Sequence, residues 1–452
     1  MSPDYEELKR LDHTYLWHPF TQMQEWMMED PCIIAGGEGC TLVDVQGHRY
    51  IDGVSSLWCN VHGHRRRELD EAVERQLDSM AHSTFLGLSH VPGIRLAEKL
   101  IQLAPPGLHR VFYSDDGATA VESALKIAFQ YWQLKGETHR TQFVTLEESY
   151  HGDTLGAVSL GYSETFHRFY RPLLFSALRI NPPHIFRYFQ GMSEPEAMQA
   201  ALTEAEEKIS REKDSLAALI IEPLMQGAAG MWSQPRGYLG SLVDICRRNG
   251  ILVIVDEVAT GFGRTGRMFA CEHEQVSPDL LCLAKGLTGG YLPLAATLVR
   301  EEIFSAFLGE YHEFKAFFHG HTYTGNPLGC AVALASLMLF ETDGTLDRMQ
   351  PRIDYLRARL EKDFKPLTHV GDVRQWGFMV GIQLVADREG LKAYPPESRT
   401  AHRVILEARS RGVIVRPLGD VIILMPPLCI SDRELKTLLD VVHESIRRVT
   451  EG

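Results

Sequence analysis

The sequence predicts an α/β fold, with a large domain built on a mostly parallel sheet flanked by helices and a smaller α+β domain behind it. Three observations predict it. Between about residues 95 and 340, short apolar runs alternate with longer amphipathic stretches, the pattern of strands joined through crossover helices. Those runs are largely continuous in apolar residues rather than strictly alternating, as in strands covered on both faces. Beyond about residue 340 the texture changes to helical segments separated by the strand-like VIVRPL and VIILMPP, which predicts a separate α+β unit.

The elements follow in order. TLVDVQGHRYID reads as a hairpin, because Gln46-Gly47 separates two alternating stretches. RVFYS, QFVTLE, LAALIIEPL, ILVIVDE, DLLCLAK and LAATLVR read as buried strands of the main sheet. Between the first two, GATAVESALKIAFQYW places Val121, Ala124, Leu125, Ala128 and Phe129 on one stripe of a helix. The C-terminal region adds helices in RMQPRIDYLRARLEKDF and AHRVILEARSRG and a strand in MVGIQLVA. The expected division is an N-terminal segment, 1–60, packing with the small domain; a large domain, 61–340; and a small domain, 341–452. No repeat or low-complexity linker interrupts the chain.

Composition excludes several classes of function. The 452 residues are 44% hydrophobic and 23% charged, with a formal net charge of −13, so clustered cations for a nucleic-acid backbone are missing. The one compact basic run, Arg65 to Arg67, reads as a solvated patch. No stretch approaches the roughly 18 apolar residues of a membrane span. The start, MSPDYEELKRLDHTYLW, lacks the zones of a signal peptide, so a cytoplasmic protein is expected. Eight scattered cysteines without a C-x-x-C read as free thiols. The H-x-H pairs His62/His64 and His319/His321 have no further ligands at useful spacing, and no metal is expected.

GFGRTG, residues 261–266, matches the dinucleotide fingerprint G-x-G-x-x-G, yet its surroundings reject that reading. Residues 256–260 separate the apolar run from the first glycine, no helix start follows the last one, and the next strand ends in Lys285 rather than an acid. Arg264 is left as an anion contact, an inter-subunit contact or a plain surface arginine.

Asp256 and Lys285 end two successive strands, where open α/β sheets bind ligands. A lysine in apolar surroundings can lose its proton and form a Schiff base, and a carboxylate can keep a pyridine nitrogen protonated. That pair suits pyridoxal 5'-phosphate. SDDGATAVESALK offers the phosphate cradle, since Gly117, Ala118 and Thr119 open a helix after a strand. In SYHGDT, Tyr150 is placed to cover the cofactor ring and Asp153 to fix a neighbour.

DEVATGFGRTG, LAKGLTGG, YHGDT, HTYTGNPLGC and IIEPLMQGAAGM together resemble the blocks of the class III, fold type I pyridoxal-phosphate aminotransferases, over essentially the whole chain. WHPFTQM, the Ala-Thr of DEVATGFG and RPLGDVIILMPP resemble the branch that converts 8-amino-7-oxononanoate to 7,8-diaminononanoate for biotin. The resemblance implies catalytic roles for Lys285, Asp256 and Tyr150, with Gly117 and Ala118 on the phosphate. It implies that Thr322 and His321 reach the phosphate of a partner subunit, hence a homodimer with shared sites. Phe20, Leu57, Trp58, Tyr150, Gly320 and Arg416 are implied on the substrate side, with Arg416 holding a carboxylate.

Three positions depart from the branch. Phe20 stands where a tyrosine is usual, Leu57 where the first of two tryptophans is usual, and Asp116 where a small hydroxyl residue is usual beside the phosphate glycine. The first two leave the amino donor open between S-adenosylmethionine and L-lysine. The Asp116 carboxylate is expected to turn away from a phosphate. An alternative is another class III ω-amino acid aminotransferase using pyruvate or 2-oxoglutarate. Ala228, where ornithine-type members carry a gating glutamate, weakens the oxoglutarate version. A non-catalytic binding protein of the same fold is opposed by the intact Lys285 and Asp256.

Overall fold

The computed structural model describes residues 4–452. Its centre is a seven-stranded sheet in the order Leu108–Ser114, Ala295–Arg300, Leu280–Leu283, Leu252–Asp256, Leu216–Ile221, Gln142–Leu146, Leu178–Ile180. Every residue of Leu216–Ile221 and of Leu280–Leu283 is buried. Burial on both faces is why these strands read as unbroken apolar runs. Helices Gly117–Leu134, Glu194–Glu212 and Tyr238–Arg248 lie among the connections.

Two details of the sheet differ from the expectation. Ala295–Arg300 runs antiparallel to both neighbours, Leu280–Leu283 and Leu108–Ser114. The segment between Leu283 and Ala295 contains only a short 3-10 turn at Lys285–Thr288, and without a crossover helix the chain returns as an antiparallel neighbour. Leu178–Ile180 adds an edge strand, parallel to Gln142–Leu146, that is too short to show a pattern. On helix Gly117–Leu134, Val121, Ala124, Leu125 and Ala128 are buried as expected, but Phe129 remains 38% exposed. The stripe is narrower than its apolar letters suggest.

The expected hairpin forms between Thr41–Asp44 and Arg49–Asp52. Gly47 takes φ 87° at the turn, and the Asp44 carboxylate accepts from the backbone N–H groups of Gln46 and His48 at 2.9 Å each. Arg49–Asp52 pairs in parallel with Val413–Ile414, which ties the first strands to the end of the chain. A second antiparallel sheet orders Val370–Trp376, Met379–Leu384, Val421–Leu424 and Arg416–Leu418. No single helix among the described residues is long and apolar enough to cross a membrane.

Candidate active site

A cavity of about 720 Å³ opens at the carboxyl ends of the parallel strands, and Lys285, Asp256, Tyr150, Gly117, Ala118, Leu57 and Trp58 all line it. The sheet explains the convergence. Leu252–Asp256 and Leu280–Leu283 are parallel neighbours with Asp256 opposite Cys282, so chain direction delivers the acid and the following lysine to one edge. Gly117 opens its helix directly after Leu108–Ser114, and Tyr150 follows Gln142–Leu146.

Lys285 begins the turn after its strand in a left-handed conformation, φ 46°, costly for a side chain that is not glycine. Gly286 beside it has no room for a Cβ, which would lie 2.9 Å from that of Phe262. The amine rests 5.2 Å from the centre of the Trp58 ring. Burial pushes its pKa below the ordinary lysine value, against the opposing pull of Asp256 and Glu222. A desolvated amine that loses its proton readily is the nucleophile that imine chemistry needs.

Asp256 is 4% exposed. Its Oδ2 meets His151 Nδ1 at 2.7 Å, and its Oδ1 accepts from the Val258 N–H at 3.0 Å. His151 Nε2 is buried with no protein partner. Glu222 accepts from Tyr150 N–H at 3.0 Å and from Gly227 N–H at 2.9 Å. Burial raises this carboxyl to about 7, and the nearby Asp256 charge adds to the rise. The Tyr150 hydroxyl donates to Asp153 at 2.6 Å; burial and then that bond push its pKa up.

The helix start forms a cradle. A Cβ on Gly117 would come 2.5 Å from Val258, so the glycine lets the backbone approach that wall. Asp116 is the N-cap, its Oδ1 accepting from Thr119 N–H at 2.9 Å. Its charge is therefore committed to the helix, while the Gly117 and Ala118 amides remain at the cavity wall. A buried amine, a buried carboxylate backed by a histidine, and a glycine-opened helix terminus match the aldehyde, ring nitrogen and phosphate of pyridoxal phosphate.

Trp58 reaches the cavity through an irregular turn, with Ser55, Ser56 and Trp58 at φ 51°, 61° and 63°. Asp52 Oδ2 holds that turn by accepting from Ser56 N–H at 2.8 Å, and Ser55 Oγ donates to Met425 O at 2.6 Å. Arg264 lies beneath it, 1% exposed, donating to Pro426 O at 2.8 Å and to Asn60 O at 2.7 Å. The surface, anion and inter-subunit readings of Arg264 are thus replaced by a buried bridge between two backbone segments.

Phe20, Gly320, His321, Thr322 and Arg416 are not among the residues lining the cavity of the single chain. Phe20 is 60% exposed and packs edge-on against Phe166. His321 Nδ1 meets Asp115 Oδ2 of its own chain at 2.6 Å, and Thr322 is exposed. Arg416 stands on a strand opposite Ile423. His151 and Glu222 received no role from the sequence, although both sit in quoted blocks. Glu222 carried the signal that marked Asp256, a titratable residue at the end of an apolar strand, whereas His151 stands in the loop beyond Gln142–Leu146 and carried none.

The sequence model described as Aminotransferase class-III matches residues 23–446. The chain is 56% identical to the adenosylmethionine-8-amino-7-oxononanoate aminotransferase of Nitratidesulfovibrio vulgaris, over 98% of this chain and 82% of that one. It is 49% identical to the Geobacter sulfurreducens protein of the same name, over 100% of both. Among solved structures, the Methanocaldococcus jannaschii enzyme of that name superposes with TM-score 0.94 at 46% identity, covering 98% of this chain and 99% of that one. An (S)-enantioselective omega-transaminase from Thermomicrobium roseum gives TM-score 0.95 at 35% identity, covering 99% of each. With the match extending from the N-terminal segment well into the last helix, Asp432–Glu451, the chain belongs to the class-III aminotransferases, enzymes of the fold type I architecture.

Proposed function

We propose that this aminotransferase uses pyridoxal 5'-phosphate to move an amino group onto 8-amino-7-oxononanoate, giving 7,8-diaminononanoate for biotin, with S-adenosylmethionine as donor. The observation that carries the chemistry is the placement of Asp256 and Lys285 on adjacent parallel strands beside the Gly117 helix start. The substrate and donor rest on the names of relatives up to 56% identical over nearly the whole chain.

Bound here, pyridoxal phosphate supplies an aldehyde that takes up amino groups and a protonated ring that draws electrons from the bond being broken. Asp256 holds the proton on the ring nitrogen, and His151 keeps that carboxylate oriented. The Gly117 and Ala118 amides hold the phosphate at the positive end of the helix dipole. Lys285 would hold the cofactor's aldehyde carbon through Nζ, and the same amine, when free, would carry the proton between the donor's carbon and the cofactor. Trp58 shields that amine from water. The Tyr150 hydroxyl donates its hydrogen bond to Asp153, which leaves its oxygen lone pairs to face an incoming ammonium. Arg416 and Gly320 serve the keto acid, with Phe20 and Leu57 at the mouth.

The working unit in this reading is a homodimer, in which Thr322 and His321 complete the partner's phosphate site. Residues 61–340 act as the cofactor domain, 341–452 as the small domain, and 1–60 pack with the latter. The eight cysteines are all free thiols, which suits a cytoplasmic setting.

A second reading, lysine as donor, is favoured by Leu57, an aliphatic residue 52% exposed at the cavity, where an aromatic wall would suit an adenine. One experiment separates the two. S-Adenosylmethionine, lysine, alanine and glutamate are added singly to holoenzyme, and loss of the cofactor's visible band is followed. The adenosyl donor is expected to bleach the band; bleaching by lysine alone moves the assignment to the second reading. A response confined to alanine or glutamate sinks the biotin assignment.

A further inference from the structure

Two thiols that no step of amino transfer uses meet where the first strands of the chain touch its last sheet. Cys40 lies between strands Ile34–Glu38 and Thr41–Asp44 and is 2% exposed. Cys429 follows Leu428 and is exposed. Their sulfur atoms stand 3.5 Å apart although the residues are 389 positions apart in sequence. This is the only sulfur–sulfur hydrogen bond among the described residues. Of the other thiols, Cys246, Cys271, Cys282 and Cys330 are buried, and Cys32 and Cys59 are half-buried.

Backbone bonds hold both cysteines to the segment between them. Asp52 N–H donates to Cys40 O at 2.8 Å, and Leu428 N–H donates to Val61 O at 3.0 Å. Gly39 and His64 exchange a pair of bonds at 3.0 and 2.7 Å. A Cβ on Gly63 would lie 3.0 Å from Cys429 Sγ, so a glycine there gives the sulfur its place. The thiols are therefore presented by a fixed frame, and about 1.5 Å of approach separates them from a bonding distance of about 2.05 Å.

We propose that Cys429 and Cys40 form a thiol oxidation site that takes a hydroperoxide: Cys429 is the attacking sulfur, and Cys40 closes an intrachain disulfide. In the first step the Cys429 thiolate attacks the terminal peroxide oxygen, the O–O bond breaks, and the departing oxygen leaves as an alcohol, or as water from hydrogen peroxide, carrying the proton Cys429 gave up. Cys429 is now a sulfenic acid. In the second step Cys40 sulfur attacks Cys429 sulfur, the S–O bond breaks, and the hydroxide leaves as water with the Cys40 proton. Two thiols are oxidised by two electrons, and one peroxide is reduced.

The electrostatics divide the roles the same way. The hydrogen bond with Cys40 holds the Cys429 thiol below its usual value against burial and the Glu434 charge, which both raise it, with a smaller lowering from Arg66. That same bond, with burial, pushes Cys40 up. A thiol inclined to ionise on a residue at the surface, beside a buried resolving partner, is the arrangement of redox-responsive cysteines. The bond would lock together the strand region at 39–64 and the segment at 426–429, which Arg264 already bridges through Asn60 and Pro426.

The test uses full-length holoenzyme and hydrogen peroxide, followed by alkylation, digestion without reductant and mass spectrometry. The expected product is a Cys40–Cys429 linked peptide that dithiothreitol abolishes, with two of the eight thiols lost to a chromogenic disulfide reagent in denaturant. Cys40→Ser is expected to leave a sulfenic acid on Cys429 that dimedone traps, whereas Cys429→Ser is expected to retain its thiols under the same dose. The proposal is overturned if Cys429 advances to sulfinic acid while Cys40 stays free in the wild type. It is equally overturned if Cys429→Ser loses thiols at the wild-type rate. The linked peptide is read on the unaltered chain, so a poorly folding variant does not remove the test.

Discussion

Lys285 and Glu222 show how burial alone divides labour between an amine and a carboxyl in one cavity. Desolvation lowers the lysine and raises the glutamate, each toward its neutral form. Lys285→Ala should leave no cofactor trapped by borohydride and should slow amino transfer by roughly 10²- to 10⁴-fold or more; trapping that persists in the variant would move the attachment to another lysine. Glu222 gives a pH prediction whose sign can be worked out. Its ordinary value is 4.5 and its folded value about 7, so the folded protein holds that proton more tightly. The stability it lends is full below 4.5 and is lost as pH rises toward about 7. The twin acceptance from Tyr150 and Gly227 belongs to the ionised form, so activity should fall on the acid side with an apparent pKa near 7. Glu222→Gln retains one acceptor oxygen and should cost roughly 10-fold or more in kcat/KM while removing that acid limb. A limb that survives unchanged in the variant assigns it to another group.

At the scale of elements, helix Gly117–Leu134 joins stability to function through one side chain. Asp116 and Thr119 form a reciprocal capping box, so Asp116→Ala should cost about 1 kcal/mol of stability, measured by denaturant unfolding. It should also weaken phosphate-dependent cofactor binding in an equilibrium titration; full cofactor affinity in a destabilised variant would separate the cap from the cradle. Asp116 illustrates what was legible in the chain and what was not. The helix, its preceding strand and the cavity edge were readable, because buried parallel strands appear as apolar runs and chain direction fixes where their ends lie. The use of the carboxylate was not, since an acid beside a phosphate loop reads as repulsion until its hydrogen-bond partner is known. Arg264 was hidden for a similar reason: its two terminal nitrogens donate to backbone carbonyls of residues 60 and 426, and carbonyls leave no mark in a sequence. The direction of Ala295–Arg300 depended on the connection before it, and Leu178–Ile180 was too short to carry a period. Lys285, Asp256, Tyr150 and Gly117 stood out because each lies at or just beyond the carboxyl end of a strand of the main sheet.

Across the whole molecule, the chain leaves large apolar side chains in water that a solitary chain has no reason to expose. Leu86 is 89% exposed, Tyr311 93%, Phe318 77% and Tyr323 62%. The segments carrying Leu86 and Tyr323 touch, with the His82 and Tyr323 rings 4.8 Å apart. Large exposed apolar side chains gathered near a site mark an interaction surface, and the His321–Asp115 bond ties the segment carrying Tyr323 to the Gly117 helix start. A second copy of the chain is the occupant that would also bring Thr322 to a phosphate site that its own chain does not offer it. Sedimentation equilibrium should therefore give about twice the 51.0 kDa of one chain at micromolar concentration. Leu86→Asp with Phe318→Asp should produce monomers, since charges that cannot be paired are excluded from the apolar centre of an interface. Those monomers should keep the far-ultraviolet signature of the fold, because both residues lie outside the buried core, yet bind pyridoxal phosphate more weakly. A monomeric wild type with full activity would end the shared-site reading. A variant that is monomeric but holds cofactor as tightly as the dimer would leave each chain with a complete phosphate site of its own and remove Thr322 from it.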